Sequence, residues 1–236
     1  MKVLIDSKKR RYLWSSGDLH TEEGTIKEDE IKNNAPSVKT SKGAELLKFD
    51  ASFPDIIKEL KTGPAIVNAK DAGAIIAHTG INSKSKVVDA GSGSGFLTSY
   101  LSNITDNIVT YEKNKVNYEL AKKNLKKINP KIEIKNKDIF LGIDEKHLDL
   151  ITLDLPTPWE ILNHVESSLK SGGFLVCYLP NINQVQELIE SSKKHNMILE
   201  KVLETIEREW TVYGQVCRPK HEMLGHTAFL VFFRRY

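Results

Sequence analysis

Seven residues in the middle of the chain have the types and spacing to hold a small ligand: Asp89, Gly91, Gly93, Gly95, Glu112, Asp138 and Asp154. The first four lie in KVVDAGSGSGFLTSYL (86–101). Val87 and Val88 read as a short strand closed by Asp89, and the glycines make a turn with no side chains in the way. From Phe96 on, apolar residues at Phe96, Leu97, Tyr100, Leu101 and Ile104 follow helical spacing. Such a strand–turn–helix brings bare backbone amides and a helix N-terminus up to a ligand, as nucleotide-type cofactors require.

The spacing narrows the cofactor. A dinucleotide fingerprint, G-x-G-x-x-G, counted from Gly91 needs its third glycine at position 96, where Phe96 stands. No Gly-Lys-Ser/Thr follows, so the turn is not a phosphate P-loop. Glu112 ends the next strand and can accept hydrogen bonds from both hydroxyls of a ribose. Asp138, in KNKDIF, follows a third strand and can accept from an adenine amino group. Asp154, in LDLPTPW, ends a fourth. Open α/β sheets bind ligands at the carboxyl ends of their strands, so these acids converge on one crevice. Any one of them taken alone is equally a solvated loop carboxylate; the set is not. A ribose, an adenine and no diphosphate clamp point to S-adenosylmethionine, whose sulfonium cation suits an acidic pocket.

The elements that must position these residues alternate from about residue 71. The pattern predicts a helix over 71–80, strands at 86–89 and 107–112, a helix over 115–128 and strands at 131–135 and 148–154. A helix then begins at Trp159 and is stopped by Gly172 and Gly173, followed by the apolar strand 173–179, a helix from Asn183, and long strands at roughly 198–212 and 226–235 around a polar loop with Arg218 and Pro219. The expected fold is α/β: a Rossmann-like, mostly parallel sheet with an antiparallel C-terminal strand. Residues 1–60 read instead as a small β-rich domain of short strands (KVLID, RRYLW), with FPDIIKELK a helix leading out of it, which leaves 61–236 as the ligand-binding domain.

Length and composition fit this plan. The chain has 236 residues, 40% hydrophobic and 28% charged, enough for one large domain with a small attachment. No apolar run approaches the roughly 20 residues of a membrane span. MKVLIDSKKRRYLW carries its charges after a short apolar start, unlike a signal peptide. Cys177 and Cys217 make neither a disulfide framework nor a metal site, and the expected compartment is the cytoplasm. Net charge is only +3, but residues 113–137 hold nine lysines against Glu119 and Glu133. That is either a solvated helix face or a phosphate-attracting surface beside the glycine turn.

The D-x-G-x-G-x-G turn with its downstream Glu112 looks like the motif of class I methyltransferases. AKDAGAIIAHTGI, DLPTPW, YLPNINQVQEL, GHTAFLVFFRR and the LIDSKKRRYLW start together resemble the tRNA (adenine-N1)-methyltransferases, over nearly the whole chain. That resemblance implies S-adenosylmethionine as methyl donor, tRNA as partner, modification of adenine 58 in the T-loop (in some archaeal members also 57), and a homotetramer. Carried over by motif, Gly91, Gly93, Ser94, Gly95, Phe96 and Leu97 contact the cofactor, Glu112 its ribose and Asp138 its adenine, while Asp154 lies between methyl donor and target base as the catalytic residue. Pro156 and Pro158 would stiffen that loop, with Trp159 either flanking the base or packing. No metal is implied. The chain departs from the family at Val67-Asn68-Ala69-Lys70-Asp71, where an aromatic or histidine and a proline often precede the Lys-Asp pair; Asn68 cannot stack on a flipped base. His78 on the following helix reads as packing. Arg218, Pro219, His226 and Thr227 match the closing motifs, Arg218 as a phosphate contact or a loop brace. Two other readings stay open: a protein-L-isoaspartate O-methyltransferase-like enzyme, and a non-catalytic tRNA-binding subunit.

Overall fold

The computed structural model describes residues 1–63 and 66–236, which form two compact units, Met1–Leu60 and Lys61–Tyr236. In the first unit, β1 (Lys2–Ile5), β2 (Arg11–Trp14), the hairpin of β3 (Leu19–Thr21) and β4 (Gly24–Ile26), α1 (Glu28–Lys32), β5 (Ser37–Lys39), β6 (Glu45–Asp50) and α2 (Phe53–Ile57) follow in order. β2, β1, β6 and β5 make an antiparallel sheet. Leu4, Trp14, Ile26, Ile31, Val38 and Leu46 pack beneath it as a small core. Expected strands at both KVLID and RRYLW are present. The expected helix 53–61 is shorter: Ser52 and Asp55 build a capping box at its start, but it ends after Ile57.

The second unit runs α3 (Ala69–Thr79), β7 (Val87–Ala90), α4 (Phe96–Ser102), β8 (Ile108–Tyr111), α5 (Lys115–Ile128), β9 (Glu133–Lys135), β10 (Leu148–Leu153), α6 (Leu162–Ser168), β11 (Leu169–Leu179), α7 (Ile182–Ser192), β12 (Met197–Leu203), the hairpin of β13 (Trp210–Tyr213) and β14 (Val216–Pro219), and β15 (Phe229–Arg235). Seven strands form one sheet in the order β12-β15-β11-β10-β7-β8-β9. Neighbours from β11 to β9 are parallel, and β15 runs antiparallel to both β11 and β12. β8 lies on one side of β7 and β10 on the other, so the strand order reverses there. At that reversal the loops leave in opposite directions and open a crevice.

The sheet is covered on both faces. Val88, Ile151, Leu153, Leu175 and Phe233 belong to one apolar cluster, while Val87, Leu150, Val176, Leu230 and Phe232 belong to the other. Alternate residues of one strand thus feed opposite layers, which is why the central strands read as continuous apolar runs. Each fully buried Leu, Ile or Phe contributes about 1.5–3 kcal/mol. α5 starts where the Asn114 side chain accepts from the amides of Val116 and Asn117, and α3 ends at Gly80 in a left-handed conformation.

Three expectations need correction. The helix predicted from Trp159 is a 3-10 turn, Pro158–Ile161, followed by the short α6, and β11 already begins at Leu169. Gly172 and Gly173 therefore sit inside a strand. A Cβ on Gly173 would lie 2.7 Å from the Leu148 carbonyl oxygen and 2.9 Å from that of Lys170, so this glycine serves an irregular strand pairing, not a helix stop. The strand predicted over 198–212 ends at Leu203, and Trp210 resumes in a separate hairpin. Arg218 and Pro219 lie in β14, opposite Thr211 and Trp210, and not in a loop.

Candidate functional site

The glycine turn, Glu112, Asp138 and Asp154 come together at the carboxyl ends of β7, β8, β9 and β10. A cleft of about 230 Å³ is lined by Gly91, Gly93, Glu112, Asp138 and Asp154, with Tyr111, Lys113, Ile139, Leu155 and Pro156 among its other walls. A narrower space of about 20 Å³ continues past the turn, lined by Ile66, Val67, Ser94, Phe96 and Leu97 and again by Gly91, Gly93 and Asp154. Asp154 thus stands where a wide chamber meets a narrow one.

Local chemistry explains the shape. Gly91 has a φ of +84°, and a Cβ there would lie 2.1 Å from the Asp154 carbonyl oxygen. Only glycine lets the end of β7 pass this close to the chain leaving β10. Gly95 also has a φ of +84°, but its Cβ would meet Leu125 at 3.1 Å; it seats α4 against α5 and lines neither chamber. Glu112 is buried and fixed: Oε2 accepts from the Gly93 amide at 2.9 Å, and Oε1 from the Asn114 amide at 2.8 Å. Each oxygen keeps a further lone pair for a ligand hydroxyl. Asp138 caps the 3-10 turn Ile139–Leu141, with Oδ1 accepting from Phe140 N at 3.1 Å and Oδ2 lying 3.8 Å from Lys113 Nζ.

Asp89 has a different part. It is fully buried, and its carboxylate receives the hydroxyls of Thr98 at 2.5 Å, Thr152 at 2.7 Å and Thr110 at 3.3 Å. It ties β7, α4, β8 and β10 together beneath the turn. Burial pushes its pKa up, partly offset by those hydroxyls. Burial, then the carboxylates of Asp89 and Glu112, push Asp154 up to about 7. A cleft that raises a carboxylate in this way favours a cationic ligand.

S-adenosylmethionine fits these residues. The cleft offers carboxylates for hydroxyl and amino groups, and the narrow chamber contains Ser94, whose buried Oγ has no hydrogen-bond partner among the described residues. A buried hydroxyl left unpaired is costly and marks a place for a polar ligand group. One supporting residue escaped sequence reading. Buried Asn124, on α5, donates to the carbonyls of Lys61 and Ser94 at 2.8 Å each and accepts from the Lys61 amide at 3.1 Å. An asparagine on the inward face of an amphipathic helix was the available signal.

Other singled-out residues lie elsewhere. Trp159 packs against the apolar core. Asn68 stands at the start of α3, where its backbone carbonyl accepts from the Asp71 and Ala72 amides, and it borders a separate cavity with Lys70, Tyr100, Met223 and Leu224. His78 packs edge-on to Phe232, and Arg218 faces His221 on the exposed hairpin. His226 bridges Glu204 and the Pro180 carbonyl. In the lysine-rich stretch Lys113, Lys131, Lys135 and Lys137 all have acidic partners.

Comparison with known proteins agrees with this geometry. The family model described as "tRNA methyltransferase complex GCD14 subunit" matches residues 58–217. The chain is 32% identical to the tRNA (adenine(58)-N(1))-methyltransferase TrmI of Thermus thermophilus, covering 99% of this chain and 96% of that one. It is also 32% identical to the adenine-57/adenine-58 enzyme TrmI of Methanocaldococcus jannaschii, over 97% and 93% of the two chains. Among solved structures, a SAM-dependent O-methyltransferase of Thermotoga maritima superposes with a TM-score of 0.86 at 28% identity over 99% of this chain and 92% of that one. TrmI of Aquifex aeolicus gives 0.81 at 27% identity over 100% and 96%. A carboxylate-lined cleft at the strand reversal and nearly full-length likeness to these enzymes lead to one conclusion: the chain belongs to the tRNA (adenine-N1)-methyltransferase family of S-adenosylmethionine-dependent methyltransferases.

Proposed function

We propose that this protein transfers a methyl group from S-adenosylmethionine to N1 of adenine 58 in the T-loop of tRNA, acting in the cytoplasm as a homotetramer. The observation that carries the reading is Asp154, partly buried between the two chambers with its pKa raised to about 7. Glu112 takes the ribose, Asp138 the adenine and Ser94 the amino-acid end of the cofactor, with the amides of the glycine turn beside them. When bound, the cofactor supplies a methyl group on a positively charged sulfur.

Adenine N1 carries a lone pair, so no base is needed to make a nucleophile, and most of the rate comes from holding the two partners in line. Bond formation makes the ring cationic. The Asp154 carboxylate accepts from the N6 amino group and stabilises that growing charge. Guanine, with an acceptor at O6, is refused at the same place. Pro156 and Pro158 hold the loop after Asp154 on a short leash.

The test is to incubate the protein with labelled cofactor and unmodified tRNA, then digest and identify the nucleoside. Label in 1-methyladenosine at position 58 is expected, and mapping also reads position 57. Asp154→Ala should keep measurable cofactor binding while turnover falls at least 100-fold; unchanged turnover removes Asp154 from the mechanism. Label recovered in protein would overturn this reading. Tetramer formation is checked by light scattering at four times the 26.7 kDa chain mass.

A further inference from the structure

Outside the cleft, at the start of α3, lies a buried ion pair. Asp71 is fully buried and Lys70 nearly so, with Nζ 2.8 Å from Asp71 Oδ1. Lys70 Nζ also donates to the Thr205 carbonyl at 3.0 Å and to the hydroxyls of Thr205 at 3.0 Å and Thr227 at 2.6 Å. Those hydroxyls in turn donate to the carboxylate, Thr205 to Oδ1 and Thr227 to Oδ2 at 2.8 Å. The Tyr178 hydroxyl approaches Oδ2 at 3.4 Å.

The partners are far apart in sequence. Thr205 follows β12 and Thr227 precedes β15, so the pair grips both ends of the excursion that carries the β13–β14 hairpin. The neighbouring Glu204–His226 bridge closes the same neck, with Nδ1 and Oε1 2.5 Å apart. Tyr178 is the penultimate residue of β11, the strand beside β10, and stands one step past the paired Leu153 and Cys177, level with Asp154. Lys70 also borders the roughly 500 Å³ cavity whose other wall, Met223 and Leu224, belongs to the excursion.

A buried ion pair is a poor means of gaining stability. Desolvating it costs several kcal/mol per ion, and apolar side chains of equal volume often hold a core as well or better. What it adds here is direction. A carboxylate that must satisfy a lysine and two hydroxyls has very few arrangements open to it, and each fixes where its partners point. From this network we infer that Asp71, held by Lys70, is a positioning residue for methyl transfer: it holds both ends of the excursion in one arrangement with the Tyr178 hydroxyl, whose strand position is level with Asp154, before the target base arrives. The inference rests on the methyl-transfer reading above. Burial and the nearby Asp71 charge push Tyr178 up to about 12, so its hydroxyl keeps its proton and stays available as a donor.

Four variants test it: Asp71→Asn, Thr205→Val, Thr227→Val and Thr227→Ser. Wild-type protein is assayed first with unmodified tRNA; if it transfers no methyl group, the functional reading fails and not this one. With transfer established, Asp71→Asn should lower single-turnover transfer at least tenfold while the dissociation constant for S-adenosylhomocysteine stays within twofold. Thr205→Val and Thr227→Val should follow it, whereas Thr227→Ser, which keeps the hydroxyl, should recover most of the rate. Wild-type rates in Asp71→Asn or Thr227→Val overturn the inference. So does a loss of cofactor affinity and melting temperature in step with the rate, since that describes a structural brace. If Asp71→Asn does not fold, the contrast between Thr227→Val and Thr227→Ser decides the matter.

Discussion

Asp154 is the residue whose environment makes the sharpest demand. Its carboxyl is raised from 3.8 to about 7, first by burial and then by Asp89 and Glu112. A carboxyl that binds its proton more tightly in the folded state stabilises the fold at low pH, and that advantage is lost as pH rises from the unfolded value of 3.8 through about 7. The cleft therefore gains negative charge near neutrality. The affinity of cationic S-adenosylmethionine relative to neutral S-adenosylhomocysteine should rise as pH passes through about 7, and Asp154→Asn should flatten that rise; calorimetry with both ligands measures it. Gly91 makes the opposite kind of demand, for the absence of atoms. Gly91→Ala places a methyl group 2.1 Å from the Asp154 carbonyl oxygen at a φ of +84°, so either the turn or Asp154 must move. A cost of about 1–3 kcal/mol in stability follows from the backbone conformation alone, with more from the clash. A thermal melt should show it, and cofactor binding should fall more than tenfold.

At the scale of elements, the neck of the β13–β14 excursion carries its own pH dependence. Hydrogen bonds to Glu204 and then to the Pro180 carbonyl raise the pKa of His226 above 6.5. The bridge therefore holds fully below about 6.5 and loosens as pH rises through the folded value. Hydrogen-exchange protection of the Thr205 and Thr227 amides, taken relative to the intrinsic rate at each pH, should fall over that rise, and Glu204→Gln should remove the effect. α5 poses a question of surface. Its flanking lysines are paired with acids, while Lys122, Lys123 and Lys126 extend along the helix itself. Reversing these three to glutamate should weaken tRNA binding and flatten its salt dependence by about 0.7–0.9 for each phosphate no longer neutralised. An unchanged slope would leave that face merely solvated.

For the whole molecule, the sheet order and the switch between β7 and β10 are what bring residues 91, 112, 138 and 154 to one cleft. Much of this was legible beforehand because it is written in local patterns. Val87-Val88 and FLVCYL are apolar without alternation, which strands covered on both faces tolerate. The glycine turn and the acids after successive strands pointed to S-adenosylmethionine through their chemistry and spacing, together with their resemblance to the class I methyltransferase motif. What local pattern misread had non-local causes. Gly172 and Gly173 resembled a helix stop because glycine also serves strands: Gly172 takes a φ of +79°, and Gly173 clears the carbonyls of Lys170 and of Leu148, 25 residues away. Residues 204–209 resembled a continuing strand because β-propensity does not record where a partner ends.

By itself, the amino-acid sequence determined the alternation of strands and helices, the glycine turn and the order of the acids, since periodicity, turn chemistry and spacing are properties of neighbouring residues. Only the tertiary structure decided which of those residues share a cavity. It separated Gly95, spent on packing α4 against α5, from Gly91, which clears space beside Asp154. It also showed Asp89 as a brace for four elements, Ser94 as a buried hydroxyl with no partner among the described residues, and Lys70 and Asp71 meeting residues 134 to 157 positions away. Burial, the pKa of Asp154 and the network at Asp71 arise from atoms brought together across the whole sheet, and no window of sequence contains them.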